Sequence, residues 1–119
     1  MKKISGTELV LRIGVFGTFL GHGILAIGVK ADWLKYLNFV GFSESASLIL
    51  QLIGYMDVTV AFLALVLPLD IVLIWATIWA FATALIRPIA GDSILDFVER
   101  TSNWAAPLAL LLFRKLKKD

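Results

Sequence analysis

From Ala46 to Leu67 the chain runs through apolar side chains with a single charged group, Asp57, near the middle. A helix needs about 20 mostly apolar residues to cross a bilayer, so this run is long enough to span one. A carboxyl at mid-depth is unfavourable there and persists where it faces protein, water or a ligand. The stretch therefore calls for a membrane-embedded helix and leaves one residue to be explained.

Composition agrees. The chain has 119 residues, 60% hydrophobic and 17% charged, with a mean hydropathy of +0.90. A soluble domain of this length carries more charge. Net charge is only +2 and the basic residues gather near the ends, which excludes nucleic acid as a natural partner. Without cysteine there is no disulfide framework, no thiolate metal site and no thiol catalysis.

Four segments read as spans, roughly 8–29, 45–67, 69–87 and 93–114. The expected fold class is an all-α membrane protein, a four-transmembrane-helix bundle forming one domain over residues 1–119. The fourth span is the least regular. Its purely apolar part, Trp104 to Phe113, is too short to cross alone, so the helix is extended back through Arg100, Glu99 and Asp96 to a cap at Asp92 or Ser93. Pro107 predicts a local kink or a freed carbonyl. Lys30 to Glu44 reads as an interfacial loop anchored by Trp33 and Tyr36, with a ligand lid as the alternative.

Lys2 and Lys3 precede the first span, and Arg114, Lys115, Lys117 and Lys118 follow the last. With an even number of spans, the positive-inside rule puts both the N- and C-termini in the cytoplasm. A cleaved signal peptide ending near Val29-Lys30-Ala31 competes for the first segment, but Glu8 and Arg12 sit badly in one.

Helical spacing sorts the polar groups onto faces. Ser47, Gln51, Gly54, Asp57, Ala61 and Ala64 share one stripe of the second span, and Ala76, Trp79, Ala80, Thr83 and Arg87 one of the third. Glu99, Asn103, Ala106 and Leu110 line the fourth. Gly14, Gly17, Gly21 and Gly28 offer the first span a close-packing face. Together they predict an outward-opening pocket with Asp57 at its floor, His22, Arg87, Glu99, Arg100 and Asn103 around its mouth, and Arg12 alone on the opposite side. Plain structural readings stand beside these. Arg87 and Glu99 can form an ion pair between spans, Arg100 can snorkel to headgroups, His22 can be a packing residue, and Asp57 can bond Arg12 or backbone. No phosphate loop, nucleotide fingerprint or second histidine accompanies them, so no metal site is expected and haem is a poorer candidate than a metal-free ligand.

Several short motifs, spread over most of the chain, resemble the DoxX-like membrane proteins. They are Arg12 with Gly21-His22-Gly23, Trp33, Gly41-Phe42, and Ile53-Gly54-Tyr55-Met56-Asp57. Trp79-Ala80-Phe81, Ala84-Leu85-Ile86-Arg87-Pro88, Gly91-Asp92, Glu99-Arg100, Asn103-Trp104 and Pro107-Leu108 complete the pattern. The resemblance implies a four-helix protein of the bacterial cytoplasmic membrane. Some members of that superfamily are subunits of a thiosulfate:quinone oxidoreductase, and others belong to membrane redox or oxidative-stress assemblies. Carried over by position, it highlights Arg12, His22, Trp33, Asp57, Arg87, Glu99, Arg100 and Asn103.

Three functional readings follow. The first is a membrane subunit that binds an apolar, redox-linked molecule such as a quinone for a partner subunit, without being an enzyme on its own. The second is a proton or small-solute transporter built on Asp57. The third is a scaffold or assembly factor whose buried charges are structural.

Overall fold

A computed structural model of the chain describes residues 4–118, and all regular structure there is helical. Lys2 and Lys3, which support the expected orientation, lie outside the described residues, as does the side chain of Lys118. The helices are α1 (Gly6–Ile27), α2 (Ala31–Phe39), α3 (Ala46–Val66), α4 (Asp70–Ile89), α5 (Ile94–Val98) and α6 (Thr101–Lys118). Three of them, α1, α3 and α4, are long and apolar enough to cross a membrane. Only 22% to 33% of each span is buried within the bundle, and the rest presents side chains such as Ile13, Leu52, Phe62, Ile71 and Ile78 outward. Such a surface suits lipid and not water.

The expected fourth helix is broken. Two short bonds divert the chain between α5 and α6: the Arg100 amide turns to Phe97 O, while the Arg100 guanidinium takes Asp96 O, the carbonyl a continuous helix would have given that amide. The Thr101 hydroxyl likewise occupies Val98 O. Beyond the break α6 runs straight through Pro107, which is fully buried. With its 18 residues ending in Arg114, Lys115, Lys117 and Lys118, α6 is not among the helices apolar enough to span.

The segment expected to be an interfacial loop contains α2 instead. No glycine or proline interrupts residues 30–40, and Trp33, Leu34 and Leu37 fall on one face that packs on Ala26, Ala46 and Leu50. Gly41 ends α2 with φ +100, its amide bonding Asn38 O and the Phe42 amide Leu37 O. Gly91 ends α4 in the same way, with φ +108. Both are six-residue caps that require a left-handed residue, which glycine adopts without strain. Val29 closes α1 with the same bonds at φ 54, an unusual conformation for a β-branched residue.

Packing sets the order α3–α1–α6–α4 around the bundle. α1 lies against α3 and α6, α4 against α6, and α2 caps one end against α3, whereas α3 and α4 touch far less than α1 and α3 or α4 and α6. The main core joins Val15 and Phe19 of α1, Val60, Ala61 and Ala64 of α3, Leu73, Ala76 and Ala80 of α4, and Leu110 and Leu111 of α6. A smaller cluster of Ala26, Leu37, Ala46 and Leu50 lies under α2.

Gly23 and Gly54 form the crossing point of α1 and α3. A Cβ built on Gly54 would sit 2.7 Å from both the Gly23 carbonyl oxygen and the Ile27 amide nitrogen, and one on Gly23 would sit 2.9 Å from Gly54 O. The expected packing face is therefore misplaced: nothing lies within 4 Å of a Cβ at Gly14, Gly17 or Gly21, which are exposed. Gly54→Ala should thus cost about 1–3 kcal/mol through overpacking against backbone that cannot yield. A thermal melt in detergent should show a marked drop for Gly54→Ala and none for Gly17→Ala; equal effects would contradict this crossing.

Candidate functional site

Between the two apolar clusters lies a cavity of about 490 Å³, within the range of small-molecule sites. Its walls are mostly apolar, with Phe19, Ala26, Leu37, Leu50, Ile53, Ala80 and Ile86 among them. Helical periodicity delivers the polar members. Asp57 lies one turn beyond Gly54 on the buried face of α3, His22 one turn after Thr18 on α1, and Arg87 one turn after Thr83 on α4. Arg100, in the break before α6, and Asn103, on the first turn of α6, line the same space.

Asp57 is only 5% exposed and has the Trp79 indole as a polar neighbour, yet its Oδ1 has no hydrogen-bond partner among the described residues. A buried carboxyl oxygen left unpaired is unfavourable by roughly 1–3 kcal/mol or more, and here it faces a cavity where a water or a ligand can satisfy it. His22 Nδ1 lies 2.8 Å from Thr18 O. A carbonyl only accepts, so Nδ1 carries the proton, and in the neutral ring Nε2 is left as an acceptor. Trp33 covers the imidazole, with ring centroids 5.6 Å apart.

Arg87 closes the cavity at the α2 end. Its Nη1 donates to the Tyr36 hydroxyl at 3.2 Å, its guanidinium lies over the Tyr36 ring, and its Nε is buried without a partner among the described residues. Tyr36 in turn donates to Asp92 Oδ2 at 2.6 Å, and Lys35 Nζ donates to Asp92 Oδ1 at 2.7 Å. These bonds latch α2 to the turn after α4. The Lys35 ammonium, and after it the Tyr36 hydroxyl, hold the Asp92 carboxyl below the usual carboxylate range. The Asp92 bond raises Lys35, and Tyr36 is raised first by burial and then by that carboxylate.

Six of the eight residues singled out in the sequence meet at this cavity: Asp57, His22, Trp33, Arg87, Arg100 and Asn103. Glu99 and Arg12 do not. Glu99 pairs with Arg100 at 2.6 Å and its side chain is 63% exposed, so the anticipated Arg87–Glu99 ion pair does not form. Arg87 makes no ion pair among the described residues. Nor does Arg12 reach Asp57. It lies at the other end of the bundle, where its Nε and Nη2 bind Glu8 Oε2 at 3.0 and 2.6 Å and its Nη1 binds Leu65 O. Arg114 and Lys117 of α6 reach the same Glu8 carboxylate, at 2.9 and 3.5 Å. That cluster ties α1, α3 and α6 together.

Tyr36, Asp92 and Glu8 escaped the sequence reading. Tyr36 was legible only as a headgroup anchor, and Asp92 only as a helix cap. Ser5-x-x-Glu8 did carry a signal, since serine followed three residues later by glutamate marks a helix start. Ser5 Oγ indeed accepts the Glu8 amide, while the Glu8 side chain turns to Arg12.

Two expectations follow from these charges. Glu8→Gln strands three cations around a side chain only 5% exposed, so it should lower stability by about 3–5 kcal/mol. Glu99→Gln, at the surface, should change stability by less than about 1 kcal/mol, and detergent melts of both variants test the contrast. Asp92 titrates below its unfolded value, so its contribution to the α2 latch is present at neutral pH and lost as pH falls through that lowered value. Trp33 fluorescence should report α2 loosening only on strong acidification in the parent, and at neutral pH in Asp92→Asn; a transition near neutrality in the parent would contradict the latch. Comparison with known proteins adds no name to this site: no family model, curated protein or solved structure matches the chain.

Proposed function

We propose that the chain is a DoxX-like protein of the bacterial cytoplasmic membrane that binds an apolar, oxygen-bearing molecule of the quinone class in this cavity and serves a redox partner subunit. In this reading α5 and α6 complete a fourth span, and the basic residues at both ends place the termini in the cytoplasm. One observation carries the ligand: a largely apolar cavity of about 490 Å³ whose floor holds the unpaired Asp57 Oδ1. The motif resemblance supports the class.

The polar complement suits both redox forms of such a ligand. Carbonyl oxygens accept, and Arg87 Nε and the Asn103 amide are donors at the cavity wall. Hydroxyls donate, and Asp57 Oδ1 and His22 Nε2 accept. Asp57 and His22 are then the groups that hold or release a proton as the ligand changes oxidation state, and the partner supplies or removes electrons. Proton passage through the whole bundle is less well served. Between Asp57 and the Arg12 end lies the apolar core of Val15, Val60, Leu73 and Leu110, and Arg12 is committed to Glu8.

Protein purified in mild detergent should retain quinone on solvent extraction or take up added ubiquinone. Asp57→Leu should bind about tenfold more weakly, the worth of one buried hydrogen bond at ~1.4 kcal/mol. A preparation that carries no quinone and ignores the added compound would count decisively against the proposal.

A further inference from the structure

We propose that the ligand enters from the side, out of the bilayer, through the seam between α3 and α4, and that it carries an aliphatic tail which stays in that seam. This rests on the reading of the cavity as a ligand site, and it names the route and the half of the ligand the cavity does not enclose.

The helices α3 and α4 are joined at one end by the tight turn through Pro68, with Leu67 O accepting the Leu69 amide at 2.8 Å. They are stitched once more where Trp75 Nε1 donates to Met56 Sδ at 3.3 Å. Elsewhere α3 packs chiefly on α1 and α4 on α6, and residues of both α3 and α4 line the cavity.

The cavity wall shows where the seam leads. Of the residues lining the cavity, those that are also exposed are Val40, Phe42, Ala82 and Thr83. Three are apolar, and the Thr83 hydroxyl is turned to Ala80 O at 3.1 Å. Ile49 and Ile53 of α3 face Ala82 and Ile86 of α4 across the same opening. A mouth that met water would be rimmed by polar groups; a rim of valine, phenylalanine and alanine meets hydrocarbon.

The end that would face water is closed. There α2 lies across the cavity and is held by Lys35 and Tyr36 on Asp92 and by Arg87 on Tyr36. The latch holds α2, Val40 and Phe42 extend the apolar rim from the end of α2, and Ala82 and Thr83 of α4 open the cavity on the side of the seam. A molecule with an oxygen-bearing head and a hydrocarbon tail matches the cavity and its rim, its head at Asp57, His22 and Arg87 and its tail between α3 and α4.

The test uses the full chain in phosphatidylcholine vesicles with its native tryptophans, of which Trp33 and Trp79 line the cavity and report on a ligand there. A benzoquinone with a decyl tail and the same ring with a methyl group in its place are titrated by quenching. The decyl compound should bind at least tenfold more tightly after correction for partitioning. Ala82→Phe or Thr83→Phe, at exposed positions, should weaken it about tenfold, whereas Ile13→Phe, exposed on α1 and outside the cavity lining, should leave it unchanged. Equal affinities for the two rings, with no effect of either plug, would overturn lateral entry while leaving the quinone reading in place. If neither quinone quenches, the quinone reading fails, and 12-bromododecanol decides the seam. Quenching in the parent but not in Ala82→Phe sustains the entry route, and equal quenching in both removes it. A dimer in native mass spectrometry that Ala82→Phe dissociates would also overturn it, because a second copy would then fill the seam.

Discussion

The contact of Gly23 with Gly54 is the constraint from which the rest of the arrangement follows. Lipid removes the hydrophobic drive between helices, so close backbone approach and polar contacts must hold a bundle together. With no side chain at either position, α1 and α3 meet backbone to backbone. That commits α3 to α1 along its length, leaves α4 to pack on α6, and so keeps the third and fourth helices apart where the cavity lies. One crossing thus produces both a firm half of the protein and an open side.

Charge is distributed with similar economy. At the end holding the described termini, Glu8 collects Arg12, Arg114 and Lys117, and Arg12 also satisfies the Leu65 carbonyl at the end of α3. At the opposite end Asp92 collects Lys35 and Tyr36 and holds α2 in place. Each hub is a carboxylate that ties its own segment to another helix, Glu8 of α1 to α6 and Asp92 after α4 to α2. Asp57 Oδ1 and Arg87 Nε are buried without a partner among the described residues, as are Trp104 Nε1 and Arg114 Nε elsewhere; what sets the first two apart is that both belong to residues lining the one cavity.

What could be read from the chain beforehand depended on how local the physics was. The burial of Asp57 followed from a period of 3.6 residues and the cost of a carboxyl in hydrocarbon, and Ala61, Ala64, Ala76 and Ala80 turned inward for the same periodic reason. The α2 helix was not legible, because its alternating aromatic and polar residues fit a headgroup-level loop equally well and only packing on Ala46 and Leu50 decides. Spacing also pointed to the wrong glycines. Gly17 and Gly21 have the familiar four-residue separation, but Gly23 is the one that meets a partner, and its neighbour lies on another helix.

The sequence by itself determined the element type and the solvent that suits it: its long apolar runs are fit to cross a membrane, and a backbone in hydrocarbon must be helical to satisfy its own hydrogen bonds. It also determined which side chains would be expensive to leave unexplained. Only the tertiary structure decided which of those groups meet. Arg87 could serve Glu99 or Tyr36, with nothing in the linear order to choose between them, and although Glu8 lies one turn from Arg12, only the fold brings Arg114 and Lys117 to the same carboxylate. The choice belongs to helix crossing and to the break before α6, because ion pairs and hydrogen bonds act over a few ångströms while their partners lie tens of residues apart along the chain.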